Sequence, residues 1–163
     1  MYIDFCAVVK RINEEFSVRP LLHGSFGLQR LLREDLSPDD IDVLLPAAFL
    51  NGDWPRLLRL MQGEGYTLTD AHEHTFEKGP VKISFGVNDL DGYAGIRLAE
   101  ALDIEEHGAS YTQLNLRQYL AVYQAFSRDR YRRKVKKKHR NDREKIRLIK
   151  YALRNQDKMR GAP

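Results

Sequence analysis

Three groupings in this chain have residue types and spacings suited to chemistry. The first is Gly24-Ser25, which closes the apolar run Leu21-Leu22-His23 and opens the helical pattern Phe26, Leu28, Leu31, Leu32. A strand that ends in Gly-Ser and feeds a helix presents free backbone N–H groups and a hydroxyl at the positive end of the helix dipole, which attracts phosphate. The second is Asp40-Ile41-Asp42-Val43-Leu44-Leu45, a short buried-strand pattern. Residues two apart on a strand share a face, so Asp40 and Asp42 project together while Ile41 and Val43 enter a core. Paired carboxylates repel one another unless a cation or a very polar opening lies between them. The third is His72 and His74, which on a strand would share a face suited to a transition metal. No third or fourth ligand stands at useful spacing, so hydrogen-bonded surface histidines are the favoured reading there. An anion cradle and a carboxylate pair on neighbouring strands are the parts that hold a magnesium-bound nucleotide.

These groups need a scaffold, and the surrounding patterns predict one. Phe5, Val8, Val9, Ile12 and Phe16 recur at three and four and predict an amphipathic helix over residues 2–16 that covers a sheet. Strands are expected over Pro20–Gly24 and Asp40–Leu45, with a helix after Ser25 between them. Asn51-Gly52 reads as a turn, Asp53 as an N-cap, and Trp54, Leu57, Leu58 and Met61 as the inner stripe of a further helix. From Tyr66 to Val87, alternating residues around Lys78-Gly79-Pro80 predict a hairpin that extends the sheet, with His72 to Phe76 in extended form. Asp89-Leu90-Asp91-Gly92 reads as a loop, residues 93–113 as a short helix or strand, and Tyr111-Thr112 as an edge strand. Asn115 is a strong N-cap for a helix carrying Leu116, Tyr119, Leu120, Tyr123 and Phe126 on its apolar face. A second helix, capped by Asp142, follows through Ile146, Ile149 and Leu153.

Composition narrows the function classes. No apolar run approaches the ~18–20 residues that cross a bilayer, and the N-terminus lacks a signal-peptide pattern. The single cysteine, Cys6, forms no internal disulfide, so a cytoplasmic location is expected. At 163 residues the chain is too short for a TIM barrel, which takes about 250. Residues 1–127 hold 11 Lys and Arg against 19 Asp and Glu, a balance of −8, whereas residues 128–163 hold 16 against 4, a balance of +12. A basic segment over 128–150 joined to an acidic body suits an anionic partner such as RNA or nucleotide phosphates, or a solvated helix that offsets the body's charge.

Gly24-Ser25, the 14-residue spacer Phe26–Asp39, and Asp40-Ile41-Asp42-Val43 together resemble the signature of the DNA polymerase beta-like nucleotidyltransferase superfamily. That superfamily includes the antibiotic nucleotidyltransferases and the head domain of CCA-adding enzymes. The resemblance spans residues 20–90 by motif. It implies an α+β fold with a mixed sheet of about four or five strands flanked by helices and a C-terminal basic helical extension. The corresponding division is a head over 1–114, a helical extension over 115–156 and a disordered tail over 157–163. The resemblance also implies Asp40 and Asp42 as catalytic Mg2+ ligands, Gly24 and Ser25 as nucleotide-binding residues, and Lys138 or Arg140 as contacts to a triphosphate or an RNA backbone. A third carboxylate usual in the superfamily would fall on a later strand, where this chain has Ser84; Glu73 or Glu77 on the partner strand are the substitutes at hand.

The expected activity is Mg2+-dependent transfer of a nucleotidyl group from an NTP to a hydroxyl acceptor, with RNA among the candidates. The alternatives are a nucleotidyltransferase fold without turnover that binds RNA or protein through its basic helices, and a regulatory partner protein that retains the fold.

Overall fold

A computed structural model describes residues 1–134 and 139–160, with side chains for all of these except 50, 51, 131, 139, 140 and 160. The chain runs α1 (Tyr2–Phe16), β1 (Leu21–His23), α2 (Gly24–Leu32), β2 (Ile41–Leu45), α3 (Ala47–Gly52), α4 (Trp54–Gly63), β3 (Thr67–Asp70), β4 (Thr75–Lys78) and β5 (Val81–Val87). It continues through α5 (Leu90–Ala94), a 3-10 turn (Leu98–Glu100), β6 (Leu102–Glu106), β7 (Ala109–Gln113), α6 (Leu116–Arg128), α7 (Arg130–Lys134) and α8 (His139–Arg160). Among the described residues no helix is long and apolar enough to cross a membrane.

All seven strands form one mixed sheet in the order β3-β4-β5-β2-β1-β7-β6. β2 pairs antiparallel with β1 and parallel with β5, and β7 runs parallel to β1. Strand alternation gives the sheet two unlike faces. Leu22, Ile41, Val43, Leu45, Ile83 and Phe85 point to the back, where α1 and α4 cover them with Phe5, Val9, Ile12, Leu57 and Met61. The front carries Leu21, His23, Asp42, Leu44 and Ser84. Here a second core of Leu21, Leu28, Tyr119, Val122, Tyr123 and Ile149 lies under α6 and α8. That apolar layer covers the β1 side of the front and leaves Asp42, Ser84 and the β4–β5 hairpin facing a cavity.

Several elements differ from the sequence-based expectation. The sheet has seven strands, because residues 102–113 form a complete hairpin, β6–β7. Acidic β6 (LDIEE) is mostly exposed, as suits an outer strand protected by charge, and that composition hides it from a hydrophobic-pattern search. Tyr111 is fully buried in β7, which sits between β1 and β6 instead of at an edge. His72 and His74 lie in the turn between β3 and β4 and not on a shared strand face; His74 has φ 48 and packs against Trp54 at 4.5 Å. Asn51-Gly52 ends α3 rather than making a free turn, and Asp89-Leu90-Asp91-Gly92 leads into α5 because Leu90 is drawn into the second core. Asp53 stands at the N-cap of α4 without a side-chain cap and instead pairs with Arg56 at 3.0 Å.

Helix α8 begins at His139, so Asp142 lies inside it rather than capping it. The helix continues through Arg160, so residues 157–160 of the expected disordered tail are helical, with Asp157 3.5 Å from Arg117 of α6. Lys138 lies outside the described residues, and the side chain of Arg140 does too.

Asn115 does cap α6: its side chain accepts from the Gln118 N–H at 3.0 Å while the Gln118 side chain accepts from the Asn115 N–H at 2.9 Å. Such a box satisfies two otherwise unpaired donors. Asn115→Ala is expected to cost about 1 kcal/mol, lowering Tm by about 2–4 °C in a thermal melt.

Candidate active site

β1 ends at His23, and the chain turns directly into α2 through Gly24 at φ 68, a left-handed conformation that glycine adopts without steric cost. The same position faces β2 at very short range. A Cβ placed on residue 24 would fall 1.8 Å from an Asp42 carboxylate oxygen. Only a bare Cα lets the Gly24-Ser25 bend and the Asp42 carboxylate occupy adjoining space.

Strand register then carries a polar row across the front. His23 pairs with Asp42, Asp42 with Ser84, Ser84 with Thr75, and Thr75 with Asp70. Asp40, half-buried, enters from the loop just before β2 and lines the same cavity of about 1040 Å3. The structure therefore brings together Gly24, Ser25, Asp40 and Asp42. Ser84 stands directly beside Asp42, where the superfamily resemblance implies a third carboxylate, and its hydroxyl lies 2.9 Å from that of Thr75. Glu73 and Glu77 both line the cavity; Glu77 is 3.4 Å from Lys82. Asp89 does not line this cavity, and among the described residues no three His, Cys, Asp or Glu side chains converge as a metal cluster.

Among the described residues, Arg132 of α7 and Lys145 of α8 bring positive charge to the cavity, with Lys82 of β5 also at its wall. Lys145 donates to the Ser25 hydroxyl at 2.5 Å and lies 5.3 Å from the Tyr123 ring. Ser25 is hydrogen-bonded to Tyr123 as well. Arg132 stacks on Phe126 at 3.9 Å and bonds Asp142 at 3.1 Å, with Asp142 only 1% exposed. A helical stripe held the signal for these residues: Asp142, Lys145 and Ile149 recur at three and four, so burial of Ile149 turns Lys145 inward. Arg132 carries no comparable mark, since it sits within a run of basic residues of similar type.

His23 was also missed as a site residue. Its ring stacks on Tyr119 with centroids 6.4 Å apart and meets Phe126 edge-on at 5.7 Å. Its Nδ1 is buried without a hydrogen-bond partner among the described residues. Burial first, then the charges of Arg132 and Lys145, push its pKa down to about 4. Burial and the nearby Asp42 charge likewise raise the Tyr123 phenol above its ordinary range.

The chemistry of this donor set fits a hard divalent cation. Mg2+ characteristically takes one or two carboxylates and completes its shell with water and substrate phosphates, and Asp40 and Asp42 supply that number of oxygen ligands beside an anion cradle.

No family model matches the chain. It is 36% identical over 156 residues to "Uncharacterized protein YnaI" of Bacillus subtilis (strain 168), covering 95% of this chain and 99% of that protein. Among solved structures it is similar to a crystal structure of ANT(2")-Ia in complex with adenylyl-2"-tobramycin, at a TM-score of 0.55 and 15% identity over 93% of this chain and 89% of the other. A solution structure of the antibiotic-resistance factor ANT(2")-Ia aligns at a TM-score of 0.51 and 15% identity, covering 98% and 96%. These likenesses show that the chain shares the fold of those two structures.

The depressed His23 pKa has a consequence for stability. Between pH about 6.5 and about 4 the unfolded chain binds a proton at this residue that the folded chain does not, so folding weakens as pH falls through that window. Each pH unit carries up to about 1.4 kcal/mol. Chemical denaturation at pH 7 and at pH 4.5 is expected to show a smaller acid loss for His23→Phe than for the wild type, by roughly 2–3 kcal/mol.

Proposed function

This chain belongs to one family with YnaI of Bacillus subtilis (strain 168), and we propose that it is a Mg2+-dependent nucleotidyltransferase that moves a nucleotidyl group from an NTP to a hydroxyl acceptor in the cytoplasm. The observation that supports this reading is that the Asp42 carboxylate takes the space a Cβ on residue 24 would fill, with Ser25 and Asp40 lining the same cavity.

Each residue has a part to play. The α2 N-terminus and the Ser25 hydroxyl hold triphosphate oxygens, and Lys145, already on Ser25, supplies the matching charge. Asp40 and Asp42 would hold Mg2+, which would supply charge to neutralise the polyphosphate and polarise the α-phosphate. The acceptor oxygen bonds to the α-phosphorus, the bond to the α–β bridging oxygen breaks, and pyrophosphate departs with that oxygen's electron pair. Glu73 or Glu77 receives the hydroxyl proton, since Ser84 and Thr75 cannot act as carboxylate bases. Catalysis in this arrangement is mainly positioning and electrostatic stabilisation.

Charge favours one kind of acceptor at the reaction centre. Glu34, Asp35 and Asp39 line one wall of the cavity, with Asp70 and Glu73 on another. These walls suit a neutral or cationic hydroxyl compound better than a polyanion. An RNA acceptor would draw on the basic segment 128–150 to offset them, with Lys138 or Arg140 as backbone contacts. The second reading, a binding module without turnover, is motivated by Ser84 alone.

Asp42→Asn is expected to abolish the rise in Tm that Mg-ATP gives the wild type, with the circular dichroism spectrum retained; an unaltered rise would remove the metal role. Ser84→Asp, which restores the third carboxylate beside Asp42, is expected to raise Mg2+-dependent pyrophosphate release at least about tenfold, equivalent to ~1.4 kcal/mol of barrier.

A further inference from the structure

Beside the main cavity lies a smaller chamber of about 360 Å3, lined by Leu44, Val87, Leu90, Tyr93 and Phe126, with Asp89 at its wall. It shares His23, Phe126 and Arg132 with the main cavity, so the two are neighbours across those three side chains. Two of its lining residues are large apolar groups left open to solvent, Val87 at 40% and Tyr93 at 41% exposure. The Tyr93 and Phe126 rings sit 5.6 Å apart at an angle of 55°, a contact that holds the Tyr93 ring in place, and the Tyr93 hydroxyl donates to Asp129 at 3.0 Å outside the stacking face. His23, only 7% exposed, lines the chamber and holds a buried Nδ1 with no hydrogen-bond partner among the described residues.

We propose that this chamber is a nucleobase subsite that prefers bases bearing an exocyclic amine. The proposal rests on the nucleotidyl-transfer reading above and specifies which part of the NTP this chain recognises. His23 lines both cavities and immediately precedes the Gly24-Ser25 cradle, so a nucleotide whose phosphates lie at Ser25 would pass its base beside His23 toward the chamber. An aromatic base stacks on the open Tyr93 ring and covers Val87, a contact available to every base. Selection comes from the polar wall. The Asp89 carboxylate accepts hydrogen bonds and cannot donate them, so it pairs with the amine of adenine, cytosine or guanine and opposes the carbonyl edge of uracil. A site built to receive an N–H group rejects an analogue that leaves its acceptor unpaired.

The test is isothermal titration calorimetry of the full chain with Mg-ATP, Mg-GTP, Mg-CTP, Mg-UTP and Mg-tripolyphosphate, on the wild type and on Tyr93→Ala, Tyr93→Phe and Asp89→Asn. The expected result is UTP binding at least tenfold weaker than the other three nucleotides. Tyr93→Ala weakens ATP about tenfold with tripolyphosphate unchanged, Tyr93→Phe matches the wild type, and Asp89→Asn removes the discrimination against UTP. Four NTPs bound no better than tripolyphosphate, or Tyr93→Phe as impaired as Tyr93→Ala, would overturn the subsite while the phosphate cradle stands. Absence of both tripolyphosphate and NTP binding would remove the subsite and the nucleotidyl-transfer reading together.

Discussion

The space that a side chain on residue 24 would fill is taken by the carboxylate of Asp42, and much of the molecule serves that close approach. β1 and β2 must pair antiparallel in the register that sets His23 opposite Asp42. A shift of one residue would turn Asp42 to the back of the sheet and push Ile41 and Val43 out of the core. The hydrophobic effect thus holds the acid in place: Ile41, Val43 and Leu45 are each essentially unexposed, and burying such a side chain contributes roughly 1.5–3 kcal/mol. Positioning of the polar face is a by-product of how strongly the apolar face is held.

Charge is distributed with similar economy. The basic C-terminal segment reads in isolation as a surface for polyanions, yet among its described residues Arg132 and Lys145 turn inward. Lys145 on α8 and Arg132 on α7 reach the front of the sheet as these helices pack on α6, with Arg132 anchored by nearly inaccessible Asp142. A buried ion pair of this kind adds little net stability, because desolvation offsets most of its attraction, but removing one partner leaves an uncompensated charge. Its effect here is geometric: it ties α7 to α8 and sets a guanidinium over Phe126. Burial, reinforced by those cations, keeps His23 neutral, so the group next to the cradle carries no charge of its own near neutral pH.

Legibility from sequence followed burial contrast. α1, β2, α4 and α6 were readable because each has one strongly apolar face, and the capping box at Asn115 marked where α6 starts. The hairpin β6–β7 was obscured because an exposed acidic strand has no apolar alternation to detect. The His72 to His74 segment misled for the opposite reason: threonines, histidines and Phe76 have high β propensity, yet Asp70 accepts from the backbone N–H groups of His72 and Glu73 and turns the chain back. Lys145 reached the site by helical phase, a signal that the run of basic residues around it masks.

What the amino-acid order determined by itself was local: a glycine where no side chain fits, two acids spaced to share a face, and apolar residues at strand and helix periods. These depend on neighbours within a few positions, where spacing and side-chain volume are enough. Which distant groups meet at that acid pair was decided only in three dimensions. Ser84 beside Asp42, Lys145 on Ser25 and Arg132 against Phe126 follow from strand register and helix packing. Those are properties of the whole sheet and its two cores, and no single stretch of chain carries them.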